Sequence, residues 1–444
     1  MRRFLENVIR GGTAGGCVRI VKCFPAGTII MFNKLARLLQ GRREKKKRRL
    51  RVYMDTNWSC NIACRICLHS VVNHAPVRHG TMSPDLFERI AREVFPITRH
   101  LSLSCSAEPL MSEGFVDMLG RIGKYKVPFV EFITNATLLN PDKINAIISS
   151  GVDLVMVSVD SAGKDVFEKI RCGARFERVI GNLEMLQKAK QERGVEKPAV
   201  RFSAVLMRST IEGIEDLMHL AHRLGAEGIH FRHFIPYAPL YLHKESLFYH
   251  KELANRYIAG AQALARELNF ETFHIPDVFR DDAGPAETAI NCRLPWEAIF
   301  IRANGNVVPC EPQLSIVMGN LAEQSFDEIW NSDGYRKLRD ELTTGNYRSA
   351  CIKCPAVVSG HTSDPMAFQE IILPGFNDVL QIIAAREPFS EQVAVRSNKS
   401  MGHYYCIKPD YDLFSGSGVT PEKLEKWRRW YEATLKIRDK FDAD

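Results

Sequence analysis

Short apolar runs alternate with helical segments between residues 51 and 235. The apolar runs have the length and composition of β-strands, and they lie at Arg51–Asp55, His100–Ser104, Phe129–Thr134, Leu154–Val159, Val200–Leu206 and Gly228–Arg232. Between them, Ser83 and Asn140 each precede a proline, which is typical of the first residues of a helix. Alternating strands and helices predict a parallel sheet with right-handed crossovers. Because eight units close a full barrel, we expect an α/β fold with a partial (β/α)6 TIM-like barrel.

The alternation stops after Pro236, and the rest of the chain divides into three further segments. Helices in the barrel region are expected at Arg175–Arg193 and Ile211–Leu224, and later ones at His243–Leu268, Ser325–Trp330, Tyr335–Leu342 and Pro421–Phe441. A hairpin is expected around Gly305. The predicted organisation is an N-terminal extension (1–50), the barrel (51–235), a helical bridge (236–290), a small α+β module (291–360) and a C-terminal extension (361–444).

The net charge of +8 is concentrated in one segment. The run from Gly41 to Arg51 holds eight Lys and Arg residues and one Glu, so the rest of the chain is close to neutral. An amphipathic stripe (Met31, Phe32, Leu35, Leu38 and Leu39) precedes it. Residues 28–51 therefore either lie on an anionic membrane surface or form a helix packed on the protein itself, followed by a solvated linker. The charge lacks the interleaved aromatic residues of a nucleic-acid module, which disfavours nucleic acid as a partner.

The sequence also bears on localisation. No apolar run reaches the roughly 18–20 residues that a membrane-spanning helix needs, and no secretory cleavage site is evident. We expect a cytoplasmic protein, with peripheral attachment at the inner membrane surface as an alternative.

Twelve cysteines in such a chain need an explanation, because disulfides do not persist in the cytosol. Cys60, Cys64 and Cys67 lie close together just after the first predicted strand. Three thiolates on one loop suit a four-iron cluster with one open iron, or zinc with His69 as a fourth ligand. The scattered cysteines, at 17, 23, 105, 172 and 406, are interpreted as buried free thiols.

A second group of cysteines lies in the small module. Cys292, Cys310, Cys351 and Cys354 come from two separated segments and can form a closed four-thiolate site. On spacing alone, both zinc and an iron–sulfur cluster satisfy this pattern. The nearby aromatic residues Trp296, Phe300 and Trp330 are expected to be core packing.

The loop Cys60-Asn61-Ile62-Ala63-Cys64-Arg65-Ile66-Cys67 resembles the signature of the radical S-adenosylmethionine (SAM) superfamily. Four later elements continue the resemblance in order: Ser106-Ala107-Glu108-Pro109, Phe132-Ile133-Thr134-Asn135-Ala136-Thr137, Ser158-Val159-Asp160, and Arg171 with Gly173 and Phe176. Ser106 and Ala107 replace two glycines of the family pattern. The resemblance implies that Glu108 meets the methionine ammonium of SAM, and that Asn135, Ser158 and Asp160 also contact SAM.

The small module resembles the auxiliary-cluster domains known as SPASM and twitch. The pattern Cys292-x12-Gly305-x4-Cys310 followed by Cys351-x2-Cys354 carries this resemblance, and Gly360 stands where a further cysteine of the longer form would fall. It implies one auxiliary [4Fe–4S] cluster with four cysteine ligands, which relays electrons.

Together the two resemblances imply an oxidoreductase-like enzyme that forms a 5′-deoxyadenosyl radical and abstracts a hydrogen atom from its substrate. We expect a small-molecule, sugar or lipid-linked substrate, and an electron donor such as flavodoxin or ferredoxin. The alternatives are a peptide-modifying maturase, an RNA-modifying enzyme and a non-enzymatic metal-cluster scaffold. No catalytic acid or base is assigned, because Tyr237, Tyr241 and His243 are equally consistent with structural roles.

Overall fold

A computed structural model describes residues 48–67, 80–103, 107–112, 114–234, 245–279, 290, 292–310, 316–348 and 351. Several predictions lie outside these residues. They concern most of the N-terminal extension, the C-terminal extension with its helix at Pro421–Phe441, and the residues His69, Ser106, Cys354, Tyr237, Tyr241 and His243.

The main sheet has ten strands in the order β12-β11-β10-β1-β3-β4-β5-β7-β8-β9. Their bounds are β1 Leu50–Met54, β3 Thr98–Leu103, β4 Val130–Thr134, β5 Leu154–Ser158, β7 Ala199–Leu206, β8 Gly228–His233, β9 Thr272–His274, β10 Ala298–Ile301, β11 Asn306–Val308 and β12 Gly319–Asn320. Two short strands, β2 Ala63–Cys64 and β6 Arg171–Cys172, pair with each other outside it. The six predicted strands are β1, β3, β4, β5, β7 and β8, which are neighbours and parallel. The predicted partial barrel is confirmed.

Helices follow the strands, and they include helices at Phe115–Ile122, Lys164–Ile170 and Leu294–Glu297 that the sequence pattern did not predict. The α-helices are α1 Pro84–Val94, α2 Phe115–Ile122, α3 Pro141–Ser150, α4 Lys164–Ile170, α5 Phe176–Arg193, α6 Ile214–Arg223, α7 Lys251–Glu267, α8 Leu294–Glu297, α9 Phe326–Trp330 and α10 Asp333–Thr344. Short 3-10 turns lie at Phe95–Ile97, Pro109–Met111, Gly123–Tyr125, Ile211–Gly213 and Leu247–His250. Ser83 and Asn140 cap α1 and α3, because their side chains accept the Leu86 and Lys143 amides. None of the described helices is long and apolar enough to cross a membrane.

The expected helix His243–Leu268 starts later in the structure. Residues 247–250 form a 3-10 turn, and His250 has φ −137° and ψ 43°, so α7 begins only at Lys251. The expected helix Ile211–Leu224 is likewise divided at Gly213, whose φ of −97° and ψ of 18° separate a 3-10 turn from α6. Both differences arise because a periodic apolar pattern does not distinguish a 3-10 turn from the start of an α-helix.

The two faces of the barrel sheet differ in polarity. On the face packed against the helices, Val52, Leu101, Phe132, Phe202 and Phe231 are fully buried in one core. Alternate positions face the other way, and this inner face carries the polar residues Ser102, Glu131, Ser158, Arg201, His230 and Arg232.

Both edges of the barrel sheet are extended by strands that the sequence pattern did not predict there. At one edge β9 pairs with β8, and a Cβ on Gly228 would lie 1.7 Å from the Thr272 carbonyl oxygen, so only glycine permits this approach. At the other edge β10, the first strand of the small module, pairs in parallel with β1. The module and the barrel therefore share one sheet.

Candidate active site

The loop with the first three cysteines leaves β1 at the C-terminal edge of the sheet. Cys64 is buried, whereas Cys60 and Cys67 are half-buried. Antiparallel pairing of β2 with β6 places Cys64 opposite Arg171, and the Arg65 amide donates to the Ile170 carbonyl over 2.9 Å. The loop is therefore held by the segment that begins at Ile170 and Arg171.

Polar groups approach two of the three sulfur atoms. Arg171 Nη1 donates to Cys64 Sγ over 3.7 Å, and Asn135 Nδ2 donates to Cys60 Sγ over 3.8 Å. Burial raises the pKa of the Cys60 thiol to about 12, and it raises the pKa of Cys64 although Arg171 opposes the effect. Buried thiols of this kind become thiolates when a cationic centre binds. The donor set and its surroundings thus fit an iron–sulfur cluster.

Glu108 is a buried carboxylate that joins the ends of three strands. It is 2% exposed, and it accepts hydrogen bonds from Thr134 Oγ1 over 2.7 Å, the Asn135 amide over 2.7 Å and the Leu110 amide over 3.2 Å. Its own amide donates to the Ser59 carbonyl over 3.0 Å, beside Cys60. Glu108 therefore positions the cysteine loop, and a contact with the SAM ammonium stays a prediction.

Asn135 connects the end of β4 to the cysteine loop. Besides Cys60, its Nδ2 donates to Asn61 Oδ1 over 3.0 Å, and Asn61 Nδ2 donates to Thr137 Oγ1 over 2.8 Å. Between them, Ala136 has a φ of +58° and its carbonyl accepts from Asn182 Nδ2 over 2.8 Å. Sequence reasoning did not assign roles to Asn61 and Asn182. The position of Asn61 between two cysteines could have indicated a role at the site. Asn182 lies within a helix, where nothing in the sequence pattern indicated such a role.

Ser158 and Asp160, at the end of β5, have different surroundings. Ser158 is half-buried on the inner face. The Asp160 side chain is inaccessible: its Oδ2 lies 2.8 Å from Arg171 Nε, and its Oδ1 accepts the Val205 amide over 3.0 Å. Asp160 thus neutralises and orients the guanidinium that donates to Cys64. Contacts of Ser158 and Asp160 with SAM stay predictions.

The second cysteine group is described in part. Cys292 precedes α8, Cys310 follows β11 and Cys351 follows α10, and all three are half-buried. Among the described side chains, those of Cys60, Cys64 and Cys67 included, no three His, Cys, Asp or Glu residues form a site for a single metal ion. The structure thus brings the first three cysteines onto one loop, whereas the described part of the second group comes from three separate elements.

The aromatic residues of the module are divided between core and surface. Trp330 is buried and stacks on Phe326 with ring centroids 5.4 Å apart, and Phe300 stacks on Tyr53 at 4.6 Å, as core packing requires. The prediction was wrong for Trp296, which is 36% exposed. It lies on the single-turn helix α8, which is too short to bury a full stripe.

The titration of Glu108 gives a testable pH dependence. Burial raises its pKa from 4.5 to about 7. Below pH 4.5 the carboxyl group is protonated in both the folded and the unfolded chain, and above pH 7 it is ionised in both. Between these values it is ionised only in the unfolded chain. The free energy of unfolding therefore falls as the pH rises. Between pH 5 and 8 this group should lower the free energy of unfolding of the cluster-free chain by about 2.5 kcal/mol.

Urea unfolding of the wild type and of Glu108→Gln at both pH values measures this difference. The variant should lose that part of the pH dependence, whereas Glu184→Gln, which changes an exposed carboxylate, should retain it. Parallel pH profiles for the wild type and Glu108→Gln would contradict the expected titration.

Comparisons with known proteins agree with this geometry. Residues 59–221 match the radical SAM superfamily, and residues 292–355 match SPASM, an iron–sulfur cluster-binding domain. The chain is 25% identical to the AdoMet-dependent heme synthase of Methanosarcina barkeri over 69% of its own length and 90% of that protein. It is 23% identical to the tungsten-containing aldehyde ferredoxin oxidoreductase cofactor-modifying protein of Pyrococcus furiosus, over 68% and 86% of the two chains.

A solved structure with the same fold is SuiB of Streptococcus suis bound to S-adenosylmethionine. Its TM-score is 0.52 at 16% identity, over 69% of this chain and 73% of SuiB. The two family matches contain all seven cysteines of the two groups, including Cys354.

Proposed function

Because the chain belongs to the radical SAM superfamily and carries a SPASM domain, it is an enzyme that uses SAM and iron–sulfur clusters, and we propose that Cys60, Cys64 and Cys67 hold the SAM-binding cluster. One observation carries this assignment. The loop with these thiols is paired to β6 at the C-terminal edge of the sheet, where parallel α/β folds bind their ligands. The matches to radical SAM enzymes disfavour the non-enzymatic scaffold.

The residues around the loop would position the cluster and SAM. Arg171 and Asn135 direct N–H donors at two sulfur atoms, which stabilises thiolates and tunes the potential of a cluster. Glu108 accepts hydrogen bonds from Thr134 and Asn135 at the end of β4, next to the loop. When bound, the cluster and SAM supply a one-electron cleavage that yields methionine and a 5′-deoxyadenosyl radical able to abstract a substrate hydrogen atom.

The second cysteine group would hold one auxiliary [4Fe–4S] cluster through Cys292, Cys310, Cys351 and Cys354. Four cysteine ligands leave no iron open to substrate, so its role would be electron relay. The shared sheet supports this role, because pairing of β10 with β1 attaches the module to the strand that leads into Cys60. The electron donor is proposed to be a low-potential protein such as flavodoxin or ferredoxin.

The substrate is proposed to be a small organic molecule, such as a cofactor or its precursor. The two curated relatives support this class, since one is named a heme synthase and the other a cofactor-modifying protein. The polar inner face of the barrel also supports it. A peptide, an RNA, and a sugar or lipid-linked compound are the alternatives that a substrate screen would distinguish.

The test is anaerobic reconstitution of the full chain. We expect about eight irons per chain for two four-iron clusters, and 5′-deoxyadenosine after addition of SAM and dithionite. Fewer than about four irons, or no nucleoside from a fully loaded chain, would overturn the proposed function.

A further inference from the structure

The inner face of β8 leads to an apolar cluster against which the cysteine loop also packs. Ile229 and Phe231 are fully buried on the helix side, so His230, Arg232 and Phe234 face the barrel interior. Phe234 clusters with Ile170 and Met207, and Ile66, which lies between Cys64 and Cys67, packs against this cluster. Arg232 therefore lies on the inner face two residues before Phe234, a member of the apolar cluster that Ile66 packs against.

The other charged groups near this face already have partners. Arg201 binds the Glu227 carboxylate and donates to Thr272 Oγ1 over 3.1 Å. Glu131 Oε1 lies 3.0 Å from His100 Nε2. By contrast, within the described ranges no carboxylate forms an ion pair with Arg232, and its side chain is exposed in the barrel.

His230 complements this arginine without adding charge. It lies next to His274, with ring centroids 4.4 Å apart, and next to Arg232 along the same face. Burial, Arg232 and His274 lower the pKa of His230 to about 4, so the imidazole is neutral at pH 7. A neutral imidazole offers one N–H donor and one acceptor.

We propose that Arg232, with His230 beside it, binds an anionic oxygen group of the substrate, either a carboxylate or a phosphate, inside the barrel. This inference rests on the proposed function and adds a substrate class to it. A guanidinium presents a planar fork of N–H donors that matches both groups. Bound there, the anion would hold the substrate inside the barrel, on the same face as the apolar cluster that packs against the cysteine loop.

The test is calorimetric titration of the reconstituted full chain, with SAM present, at low ionic strength. The probes are tricarballylate, pyrophosphate and the neutral triamide of tricarballylate. We expect one of the two anions to bind and the triamide not to bind, and the preferred anion identifies the group as carboxylate or phosphate. Arg232→Gln should weaken that binding by about tenfold or more, and Arg232→Lys by less, because it keeps the charge but loses the fork.

The matched control is Arg223→Gln on α6, which removes an equal charge from an exposed pair with Glu184, 3.8 Å away, and should leave binding within about twofold. A measurement on the wild type does not depend on folding of any variant. The bound anion should protect Arg232, but not Arg223, from phenylglyoxal, as read by peptide mass spectrometry. Equal affinities in the wild type and Arg232→Gln, binding of neither anion, or unprotected Arg232 would each overturn the inference.

Iron content and SAM cleavage are measured on the same wild-type preparation. If the chain holds both clusters and releases the nucleoside but binds no anion through Arg232, then the anion site is refuted and the proposed function stands. A chain that binds the anion through Arg232 but cleaves no SAM refutes the proposed function and leaves the anion site in place.

Discussion

A chain in which Cys60, Cys64 and Cys67 are all alanine should hold about four irons instead of about eight and should release no 5′-deoxyadenosine. The three thiols lie on one loop. The match to the radical SAM superfamily contains two further cysteines, Cys105 and Cys172. The second cysteine group is on other elements, so its cluster should remain. Iron and sulfide analysis with nucleoside detection measures both effects.

Cys172→Ala is the matched control for this variant. Cys172 pairs with Ala63 across the β2–β6 ladder, and its Sγ donates to the Lys169 carbonyl over 3.4 Å, so it is a thiol next to the loop but not a predicted ligand. It should keep about eight irons and the nucleoside product. If the triple variant keeps its full iron content, or if Cys172→Ala loses as much, then the first cluster is held by other residues.

Arg302→Met should reduce the free energy of unfolding by about 3–5 kcal/mol at pH 7. Arg302 Nη1 lies 2.6 Å from Asp55 Oδ2, and the two side chains are only 8% and 1% exposed. Asp55 follows β1 and its amide donates to the Ile301 carbonyl over 2.9 Å. Removing the guanidinium leaves a buried carboxylate without this partner at the place where the module meets the barrel. The resulting loss of stability is larger than the small stabilisation from burying the apolar Met side chain.

Arg99→Met is the control, because Arg99 also connects the barrel to the module. Its Nη2 lies 3.3 Å from Glu297 Oε2, but the side chains are 46% and 30% exposed, so the expected loss is at most about 1 kcal/mol. Urea unfolding measures both variants. Similar losses for the two arginines would show that the Asp55–Arg302 pair does not hold the module to the barrel. The double variant Asp55→Asn, Arg302→Met should recover part of the loss, because no buried charge remains.

The barrel strands could be predicted because their signals are local. Each strand is a short apolar run, and the caps at Ser83 and Asn140 need only the next three residues. Local signals were less accurate at the start of α7, where the apolar pattern continued through a 3-10 turn. They failed for Trp296, because exposure on a single-turn helix depends on what packs around it.

The candidate site shows the same division. The spacing of Cys60, Cys64 and Cys67 was sufficient to indicate a cluster-binding loop, because ligands on one loop need no distant partner. The sequence did not indicate that Asp160 would bind Arg171 instead of standing open on the strand end. That pairing depends on the β2–β6 ladder, which joins segments about a hundred residues apart, as the separation of 107 between Arg171 and Cys64 shows.

The repeating strand–helix pattern and the two cysteine groups are properties of the sequence alone, since periodicity and spacing act over a few residues. The tertiary structure decided the rest: the pairing of β10 with β1, the buried Asp55–Arg302 pair across 247 residues, and the packing of Ile66 from the cysteine loop against Ile170, Met207 and Phe234. Such contacts depend on which strand edges and charges meet once the chain has closed, and no local pattern encodes that.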